Sequence, residues 1–496
     1  MRFGTLQGVM AFSLALASCG TAALPAEDRP AAAGEQPFKI AEVARFDTPW
    51  AMTFLGGPLA LVSEKDGRLW VVNVDDGSKT AVSGVPQVKV AGQGGLGDVV
   101  FGPGRQRRVY LSFVEAGPDG TSGAAVGYGQ LVATAAPGAK LSYSLQDFKI
   151  VWRQAPKVTG AGHFSHRIAF GPDGAMYVSS GDRQKGAPAQ ATDGNLGKVL
   201  RLTPEGQPFP GNPWAAKGGV EAQYFSTGHR NVLGLAIAPD GRLWQHEMGP
   251  QGGDEVNLIV GGRNYGWPTV SNGSEYGGKD IPDHSTRPEF EAPKVWWNPS
   301  ISPAGLIVYT GNLFPQWKGD LLLGALSGES LIRVDVNGDK ASKAERWNMG
   351  ARIREVEQGP KGEVYLLEDG GRLLRLTPAW EAKGRGGARR AAPNSLGLLR
   401  AAGVAALAAQ RVQQREAENA GRGVAGGRVL FHEIANLADA LADAARQLVG
   451  GAILLQLAVA GNVAEAGLEI TLGARAFASE RVDVHPSSPY VGGLAA

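Results

Sequence analysis

The stretch GHFSHRIAFGPDGAMYVSSGD, residues 162–182, decides the fold because it contains one complete β-hairpin pattern. A Gly-Pro-Asp-Gly turn at 171–174 separates two apolar runs, as in two antiparallel strands joined by a tight turn. His163 precedes the first run and Asp182 follows the second, so antiparallel pairing brings both side chains to the same edge of the sheet. We expect these two titratable groups to meet.

The same pattern of strand, glycine-rich turn and strand recurs along the chain. The copies are AMTFLGGPLALVSEKDGRLWVVN, VVFGPGRQRRVYLSF, IAFGPDGAMYVSSGD, LAIAPDGRLWQHE, LIVYTGNLFPQWKGDLLLGAL and VEQGPKGEVYLLED. They begin near Phe54, Phe101, Phe170, Ile237, Val308 and Glu357. A spacing of roughly 50 to 70 residues suits a unit of four short strands. We therefore predict an all-β fold, a six-bladed β-propeller of four-stranded antiparallel blades over residues 40–380, with a β-sandwich as the alternative.

The two ends of the chain differ from this repeat. Residues 1–18 have the charge, apolar run and small residues of a signal peptide, and LASC at 16–19 resembles a lipobox that would be lipidated at Cys19. An ordinary secretory signal with an incidental cysteine is the alternative. Residues 19–39 are expected to be a tether, and the protein to be periplasmic and lipid-anchored to the envelope. The Ala/Gly/Arg-rich residues 381–496 are expected to be a helical or disordered extension, for which out-of-frame translation of a GC-rich gene is one hypothesis.

Composition excludes several classes of protein. The chain is 43% hydrophobic and 19% charged, which is typical of a globular protein with a substantial core. A formal net charge of +2, without a clustered basic stripe in the central region, argues against nucleic-acid binding. A single cysteine excludes an internal disulfide framework.

Four further segments place polar residues beside glycines at strand or loop ends. They are GQGGLGDVVFGP (92–103), STGHRNVLGLAIAPDG (226–241), HEMGPQGGDEVNLIVGGRNYGWP (246–268) and ARIREVEQGPKG (351–362). With the hairpin at 162–182, they resemble the soluble aldose dehydrogenases that depend on pyrroloquinoline quinone (PQQ), the glucose/sorbosone dehydrogenase family. The resemblance runs in the family's order from residue 49 to 378. It implies a six-bladed propeller with PQQ over the axial end of the barrel.

The resemblance also implies a role for each matching residue. His163 matches the catalytic base, which takes the proton of the C1 hydroxyl as hydride leaves C1 for C5 of the quinone. Asp182 matches the acid that pairs with this histidine and fixes its tautomer. Arg230 and Asn231 match the pair at the reactive C5 carbonyl and a neighbouring carboxylate, where Arg230 would stabilise the developing oxyanion.

Other matching residues suit the three carboxylates of PQQ and a calcium ion. Arg352 and Arg354 share one side of a strand and match the paired arginines over the cofactor. Gln93 matches a substrate or cofactor contact, and Ser300 a small hydroxyl residue near PQQ. The implied calcium ligands are the carbonyls of Gly249 and Pro250, with Asp254 supporting their loop, while Glu255 and Tyr265 match part of a second, structural calcium site.

Three positions depart from the family pattern. Ser165-His166 replaces a Gly-Gly pair, so the extra imidazole would crowd the pocket or compete as a base. Met248 stands where His or Gln is common, and Ser327 stands where glucose-oxidising relatives have a lysine. Arg183 and Lys185 are nearby in sequence, but sequence alone does not place them at the site.

The expected activity is oxidation of aldose sugars at C1 to lactones, with PQQ and calcium and an external electron acceptor of unknown identity. A calcium-dependent propeller lactonase is one alternative, and the paired arginines argue against it because neutral lactones need no cationic cradle. A non-catalytic sugar- or envelope-binding propeller is the other alternative, motivated by His166 and Ser327.

Overall fold

The structure is a computed structural model that describes residues 36–103, 108–135 and 141–379. These residues fall in the first of the two compact units into which the chain divides, Met1–Gly384. The predicted signal peptide, Cys19, most of the predicted tether and the predicted extension 381–496 lie outside the described residues.

The described part of the chain is built from β-strands. Strand β1 (Phe38–Arg45) comes first. Sheet 1 contains β2 (Pro49–Gly56), β3 (Leu59–Glu64), β4 (Leu69–Asn73) and β5 (Lys79–Ser83). Sheet 2 contains β6 (Leu96–Phe101), β7 (Arg108–Ala116), β8 (Ser122–Thr134) and β9 (Ser142–Arg153), and a short parallel pairing of β5 with β9 joins sheets 1 and 2 edge to edge into eight continuous strands. Sheet 3 contains β10 (Ser165–Phe170), β11 (Met176–Ser180), β12 (Lys198–Leu202) and β13 (Tyr224–Thr227).

The remaining strands follow the same order. Sheet 4 contains β14 (Val232–Ile237), β15 (Leu243–Glu247), β17 (Asp254–Ile259) and β19 (Val295–Trp297), while β16 (Gln251–Gly252) and β18 (Gly273–Ser274) form a separate small pair. Sheet 5 contains β20 (Pro303–Val308), β21 (Leu321–Ala325), β22 (Ser330–Asn337) and β23 (Lys340–Asn348). Sheet 6 contains β24 (Ile353–Gln358), β25 (Val364–Glu368), β26 (Arg372–Pro378) and the returning β1.

Helical structure is confined, among the described residues, to three-residue 3₁₀ turns. They are Pro118–Gly120, Ala187–Ala189, Ala215–Lys217, Glu221–Gln223, His284–Thr286 and Pro315–Trp317. No helix within the described ranges has the length and apolar character that a membrane crossing requires. The mostly-β class predicted from the sequence is confirmed.

Each sequence repeat forms the first hairpin of one sheet. In sheet 3, Phe170 pairs with Met176, and the intervening turn is closed by a hydrogen bond from the Gly174 N–H to the Gly171 carbonyl. The Asp173 carboxylate accepts a hydrogen bond from the Ala175 N–H, and Gly174 adopts a φ of 81°, which glycine tolerates best. The turn residues therefore fix the register of this hairpin.

Neighbouring sheets pack through buried apolar layers. The first strands contact one another in the closed series β2, β6, β10, β14, β20, β24 and back to β2. Six apolar clusters fill the six spaces between sheets that are adjacent in this series, including the space between sheets 6 and 1. Strands buried on both faces, such as Leu321–Ala325, explain why the sequence shows continuous apolar runs rather than strict alternation.

The chain closes its last sheet with its own beginning. Strand β1 pairs antiparallel with β26, from Phe38 opposite Pro378 to Arg45 opposite Arg372. This pairing explains why β1 begins at Phe38, two residues before the predicted start of the propeller at residue 40. It covers the edge of β26, which would otherwise expose unpaired backbone groups.

All six first hairpins contain a register shift near the start of their first strand. In sheet 3 the shift lies between Ser165 and Ile168, and Ser165 and His166 adopt left-handed φ values of 58° and 63°. Such bulges bend a strand and redirect its side chains. They occur at the sheet edge where the first strands begin and the second strands end, which is the edge that carries the candidate site.

Candidate active site

Two adjoining cavities lie at this edge. The arginine cavity has a volume of about 410 Å³ and is lined by residues that include Trp50, Lys65, His166, Arg352, Arg354 and Asp369. The histidine cavity has a volume of about 600 Å³ and is lined by residues that include His163, Arg230, Gly249, Pro250, Tyr276, Ser300 and Ser327. Gln93, Met248 and Ser302 line both cavities. The two cavities are therefore parts of one depression.

His163 and Asp182 meet, as the hairpin pattern predicted. The distance from His163 Nδ1 to Asp182 Oδ1 is 2.7 Å, and both residues are buried. His163 is further held by its backbone N–H, which donates to Gln93 Oε1 over 2.7 Å. Since Nδ1 is occupied by the carboxylate, Nε2 is the ring nitrogen left to accept a proton.

The Asp182 carboxylate is held by several donors besides His163. Oδ2 accepts hydrogen bonds from Trp267 Nε1 over 2.8 Å and from the Gly186 N–H over 3.2 Å, and Oδ1 accepts one from the Gln184 N–H. Burial alone would raise the pKa of Asp182, but the hydrogen bonds and the nearby His163 outweigh it and hold the pKa below its ordinary value. The carboxylate is therefore ionised at neutral pH.

Arg230 is fixed on the other side of the histidine cavity. Its Nη1 donates to the Met248 carbonyl over 3.1 Å and its Nη2 to the Tyr276 hydroxyl over 3.0 Å. Its backbone N–H donates to Glu247, whose carboxylate also lies 2.9 Å from Nδ1 of the buried His229. The buried Nε of Arg230 has no hydrogen-bond partner within the described residues, so these residues leave one donor of Arg230 unpaired.

Three cations gather in the arginine cavity around one carboxylate. Asp369 accepts hydrogen bonds from Nε of Arg352 over 2.8 Å and from Nε of Arg354 over 2.7 Å, so both arginines lie on one side as predicted. Lys65 lines the same cavity, and burial together with the Arg354 charge lowers its pKa. Three positive groups face one negative group here, and this excess favours an anionic ligand.

Of the other residues predicted to contact the cofactor, Gln93 and Ser300 line a cavity and Asn231 does not. Gln93 lines both cavities, and Ser300 lines the histidine cavity while its Oγ accepts the Gly252 N–H over 3.0 Å. Asn231 is buried and lines neither cavity, because its Oδ1 accepts a hydrogen bond from Ser165 Oγ over 3.2 Å. The structure therefore places Asn231 behind the cavity wall.

The predicted calcium ligands fall into two groups. Gly249 and Pro250 line the histidine cavity, and the Asp254 carboxylate holds their loop by accepting the Gly249 N–H over 2.8 Å and the N–H groups of Ile301 and Ser302 over 2.7 Å each. This arrangement leaves backbone carbonyls of the loop available to a hard cation, and the calcium ligands and the supporting role of Asp254 stay predictions.

Glu255 and Tyr265 line a recess with about 10 Å³ of room, which shares Arg230, Met248 and Gly249 with the histidine cavity. Glu255 accepts a hydrogen bond from Asn257 and lies 3.3 Å from Nε2 of His284. The Tyr265 hydroxyl already donates to the Leu258 carbonyl and accepts the Val260 N–H, so only the main chain of Tyr265 is left to a cation. Among the described residues, no group of three or more acidic, His or Cys side chains is arranged to hold a metal. A second calcium site here stays a prediction.

His166, one of the departures, is buried in the wall of the arginine cavity. Its Nδ1 lies 2.7 Å from Ser112 Oγ and its ring stacks on Trp50 at 5.2 Å. Burial, with the nearby Arg167 and Arg183 charges, lowers the pKa of His166 to about 3. So weak a base does not compete with His163 at neutral pH.

Ser327 stands where glucose-oxidising relatives have a lysine, and Arg183 does not replace that positive charge at the site. Ser327 lies 2.8 Å from Ser302 Oγ at the histidine cavity. Arg183 is buried and donates to the carbonyls of Gly162, Ser122 and Gly160, so it braces the loop around His163 instead.

Four residues at the site were missed by sequence reasoning. They are Lys65, Trp267, Tyr276 and Asp369. Lys65 and Asp369 each follow the second strand of a repeat, in SEKDG and LEDGG, just as Asp182 does in SSGD. Comparing the residues after each repeat would have found these two, whereas Trp267 and Tyr276 lie in loops with no such signal.

Comparisons with known proteins agree with this geometry. Residues 46–375 match the family described as Glucose / Sorbosone dehydrogenase. Aldose sugar dehydrogenase of Escherichia coli (strain K12) is 38% identical over 344 residues, covering 67% of this chain and 91% of that protein. Quinoprotein glucose dehydrogenase B of Acinetobacter calcoaceticus is 30% identical over 423 residues, covering 67% and 87%. The solved PQQ-bound form of aldose sugar dehydrogenase from Streptomyces coelicolor matches with a TM-score of 0.56 and 28% identity, covering 68% of this chain and 98% of that one.

Proposed function

The chain belongs to the glucose / sorbosone dehydrogenase family, and on that premise we propose that it oxidises the C1 hydroxyl of aldose sugars to lactones with PQQ and calcium. The observation that carries this proposal is the His163–Asp182 pair, 2.7 Å apart, opening onto the same cavity as Arg230. A base and a fixed cation on one cavity suit removal of a hydroxyl proton beside a developing negative charge.

His163 acts as the base in this proposal. Asp182 holds Nδ1, so the C1 hydroxyl proton goes to Nε2 and the resulting imidazolium is stabilised by the adjacent carboxylate. PQQ, when bound, accepts the hydride that leaves C1. Arg230 is held by Met248 and Tyr276 before any ligand arrives, so no reorganisation is needed for it to stabilise negative charge.

The arginine cavity suits the carboxylates of PQQ. Lys65, Arg352 and Arg354 exceed the charge of Asp369 by two, and Arg230 adds a cation from the adjoining histidine cavity. Lys65 follows β3 of sheet 1 and supplies a cation to the arginine cavity, whereas Ser327, which stands where glucose-oxidising relatives have a lysine, follows β21 of sheet 5. The same positive excess gives a neutral lactone no advantage, which weighs against the lactonase alternative.

Calcium is proposed to bind the carbonyl oxygens of Gly249 and Pro250. The Asp254 carboxylate fixes this loop without occupying those carbonyls, which supports the assignment. The cation would polarise the quinone as a Lewis acid.

The proposal also includes the architecture of the protein and its location in the cell. Six antiparallel four-strand units, two of them joined by the parallel β5–β9 pair, support a six-bladed propeller together with the closed series of first strands and the six apolar layers. The LASC sequence supports lipidation at Cys19 and a periplasmic location. Mass spectrometry of the membrane fraction tests the lipid, which Cys19→Ser should abolish.

The activity is tested by dye reduction with purified protein and a panel of aldoses, with PQQ and Ca²⁺ added together, singly or not at all. We expect turnover only when both are present. Turnover without PQQ, or hydrolysis of lactones in place of aldose oxidation, would overturn the proposal. PQQ binding without turnover on any aldose would favour a sugar-binding role.

A further inference from the structure

Tyr276 is an exposed aromatic residue at the histidine cavity. Its side chain is 75% exposed, yet its hydroxyl accepts a hydrogen bond from Arg230 Nη2 over 3.0 Å. Single exposed apolar residues are common on protein surfaces. Tyr276 differs because it lines the same cavity as His163 and Arg230 and is tied to the latter.

The backbone around Tyr276 holds it in place. The Glu275 N–H donates to the Lys279 carbonyl and the Gly278 N–H to the Glu275 carbonyl, so Tyr276 lies at the tip of a closed turn. The adjacent β18 pairs with β16, where Gln251 is opposite Ser274. The turn is thereby anchored to the loop after Gly249 and Pro250, and the aromatic ring is presented by an ordered element.

An aldopyranose has two kinds of surface. Its hydroxyls need hydrogen-bond partners, while its axial C–H groups form an apolar face when the hydroxyls are equatorial. A tyrosine ring offers a flat apolar face with a polar tip and loses little side-chain entropy on binding. His163 and Arg230 supply polar groups on the same cavity, and Tyr276 supplies the exposed aromatic face.

We propose that Tyr276 is a specificity-determining residue of the sugar site, whose ring packs on the C–H face of an aldopyranose. This inference rests on the proposed function and narrows its substrate class to aldopyranoses with a continuous C–H face, such as glucose, over epimers in which an axial hydroxyl interrupts that face.

Steady-state kinetics of the PQQ-loaded, full-length protein test this inference. Tyr276→Ala is expected to raise the KM for glucose by roughly 5- to 10-fold, the size of one aromatic contact, and to narrow the preference for glucose over its axial epimers. Tyr276→Phe keeps the ring and should hold KM within about 3-fold of wild type, while kcat falls because Arg230 loses the hydroxyl that accepts its hydrogen bond. The matched control is Trp296→Ala, which removes an aromatic residue that is 44% exposed and lines neither cavity.

The outcomes separate this inference from the proposed function. If the wild type oxidises glucose and Tyr276→Ala has the same KM, the role inferred for Tyr276 is overturned and the proposed function stands. A raised Kd for PQQ, followed by quinone absorbance, in place of a raised KM would make Tyr276 a cofactor contact and also overturn it. If the wild type shows no turnover, calorimetric sugar binding that Tyr276→Ala abolishes keeps the inference, and no aldose binding at all overturns both.

Discussion

At the scale of single residues, the His163–Asp182 pair is the part of the site from which chemistry follows most directly. The carboxylate is ionised, buried and held by Trp267, so it fixes His163 in one tautomer. His166, three residues along, is a neutral imidazole with a pKa of about 3. Two histidines in one short segment thus have different surroundings, which supports the role of base that we propose for His163 alone.

Replacing His163 tests the assignment of the base. His163→Ala should lower kcat by at least roughly 100-fold, because it removes the imidazole that Asp182 orients, while PQQ binding is retained. Asp182→Asn should also lower kcat, since it loses the charge that stabilises the imidazolium. Stopped-flow kinetics give kcat for each variant, and a PQQ titration gives its Kd for the cofactor. Substantial activity in His163→Ala would contradict the assignment.

Lys65 tests the charge balance of the arginine cavity. Lys65→Met should weaken PQQ binding by about 10-fold, because one charge-assisted contact to a cofactor carboxylate is lost. Lys361→Met, at a lysine whose side chain is 71% exposed, is the control and should leave the Kd unchanged. Equal Kd values for the two variants would show that Lys65 does not contact the cofactor. Absorbance of the bound quinone reports the Kd directly.

Sequence reasoning reached only part of this site. His163 and Asp182 are 19 residues apart and joined by one hairpin, so turn chemistry was enough to bring them together. Trp267 is 85 residues from Asp182 and lies in the loop between β17 and β18. No local sequence pattern could therefore place it beside Asp182. Asn231 adjoins Arg230 in sequence, but local backbone direction turns its side chain toward Ser165.

At the scale of elements, the first strands and the closing strand β1 carry the architecture. Phe38 of β1 is 3% exposed and packs edge-on against Trp347 at 5.4 Å and Trp317 at 6.2 Å. The sequence did not predict this strand's beginning, because the residues before 40 continue a polar segment and gain their structure only by pairing with β26.

Phe38→Ala tests how much this closure stabilises the fold. It should lower the free energy of unfolding by about 3–5 kcal/mol, the usual cost of emptying a buried phenylalanine site. Ile40→Ala on the same strand, at a side chain that is 44% exposed, should cost far less. Urea unfolding curves compare the two. Similar midpoints for both variants would mean that β1 contributes little to stability.

The first strands also contain a buried charged cluster. Arg167 of β10 forms ion pairs with Asp98 of β6 and Glu355 of β24, and Glu357 adds a further nearby carboxylate. Burial raises the pKa of Glu355 to about 7. Folding therefore favours its protonated form, and this contribution to stability is present below about pH 4.5 and lost as pH rises through about 7.

Glu355→Gln isolates this pH dependence. The amide resembles the protonated acid, so the stability of the variant relative to wild type should increase between pH 5 and pH 8. Glu275→Gln, at an exposed position, should show no such trend. Urea unfolding curves at pH 5 and pH 8 give the free energy of unfolding of each variant and of the wild type. A relative stability of Glu355→Gln that stays constant or falls with pH would contradict the raised pKa.

At the scale of the whole molecule, the hairpin repeats of the sequence correspond to the units whose first strands form the closed series. Six similar hairpins become the first two strands of six four-strand units, two of which are joined through β5 and β9, and each hairpin brings the start of a first strand to one common edge. The number of repeats, the class of fold and that edge could therefore be predicted from local patterns. The cavities could not, because they form only where several sheets meet.

The most direct test of the account is a single-turnover experiment on the protein loaded with PQQ and Ca²⁺, mixed anaerobically with glucose in a stopped-flow spectrophotometer. The account predicts that the absorbance of the oxidised quinone disappears in one step, with one lactone formed per bound PQQ. Deuterium at C1 should slow that step, and His163→Ala should bind PQQ but show no change. An unchanged quinone spectrum on saturation with every aldose tested would contradict the proposed oxidation.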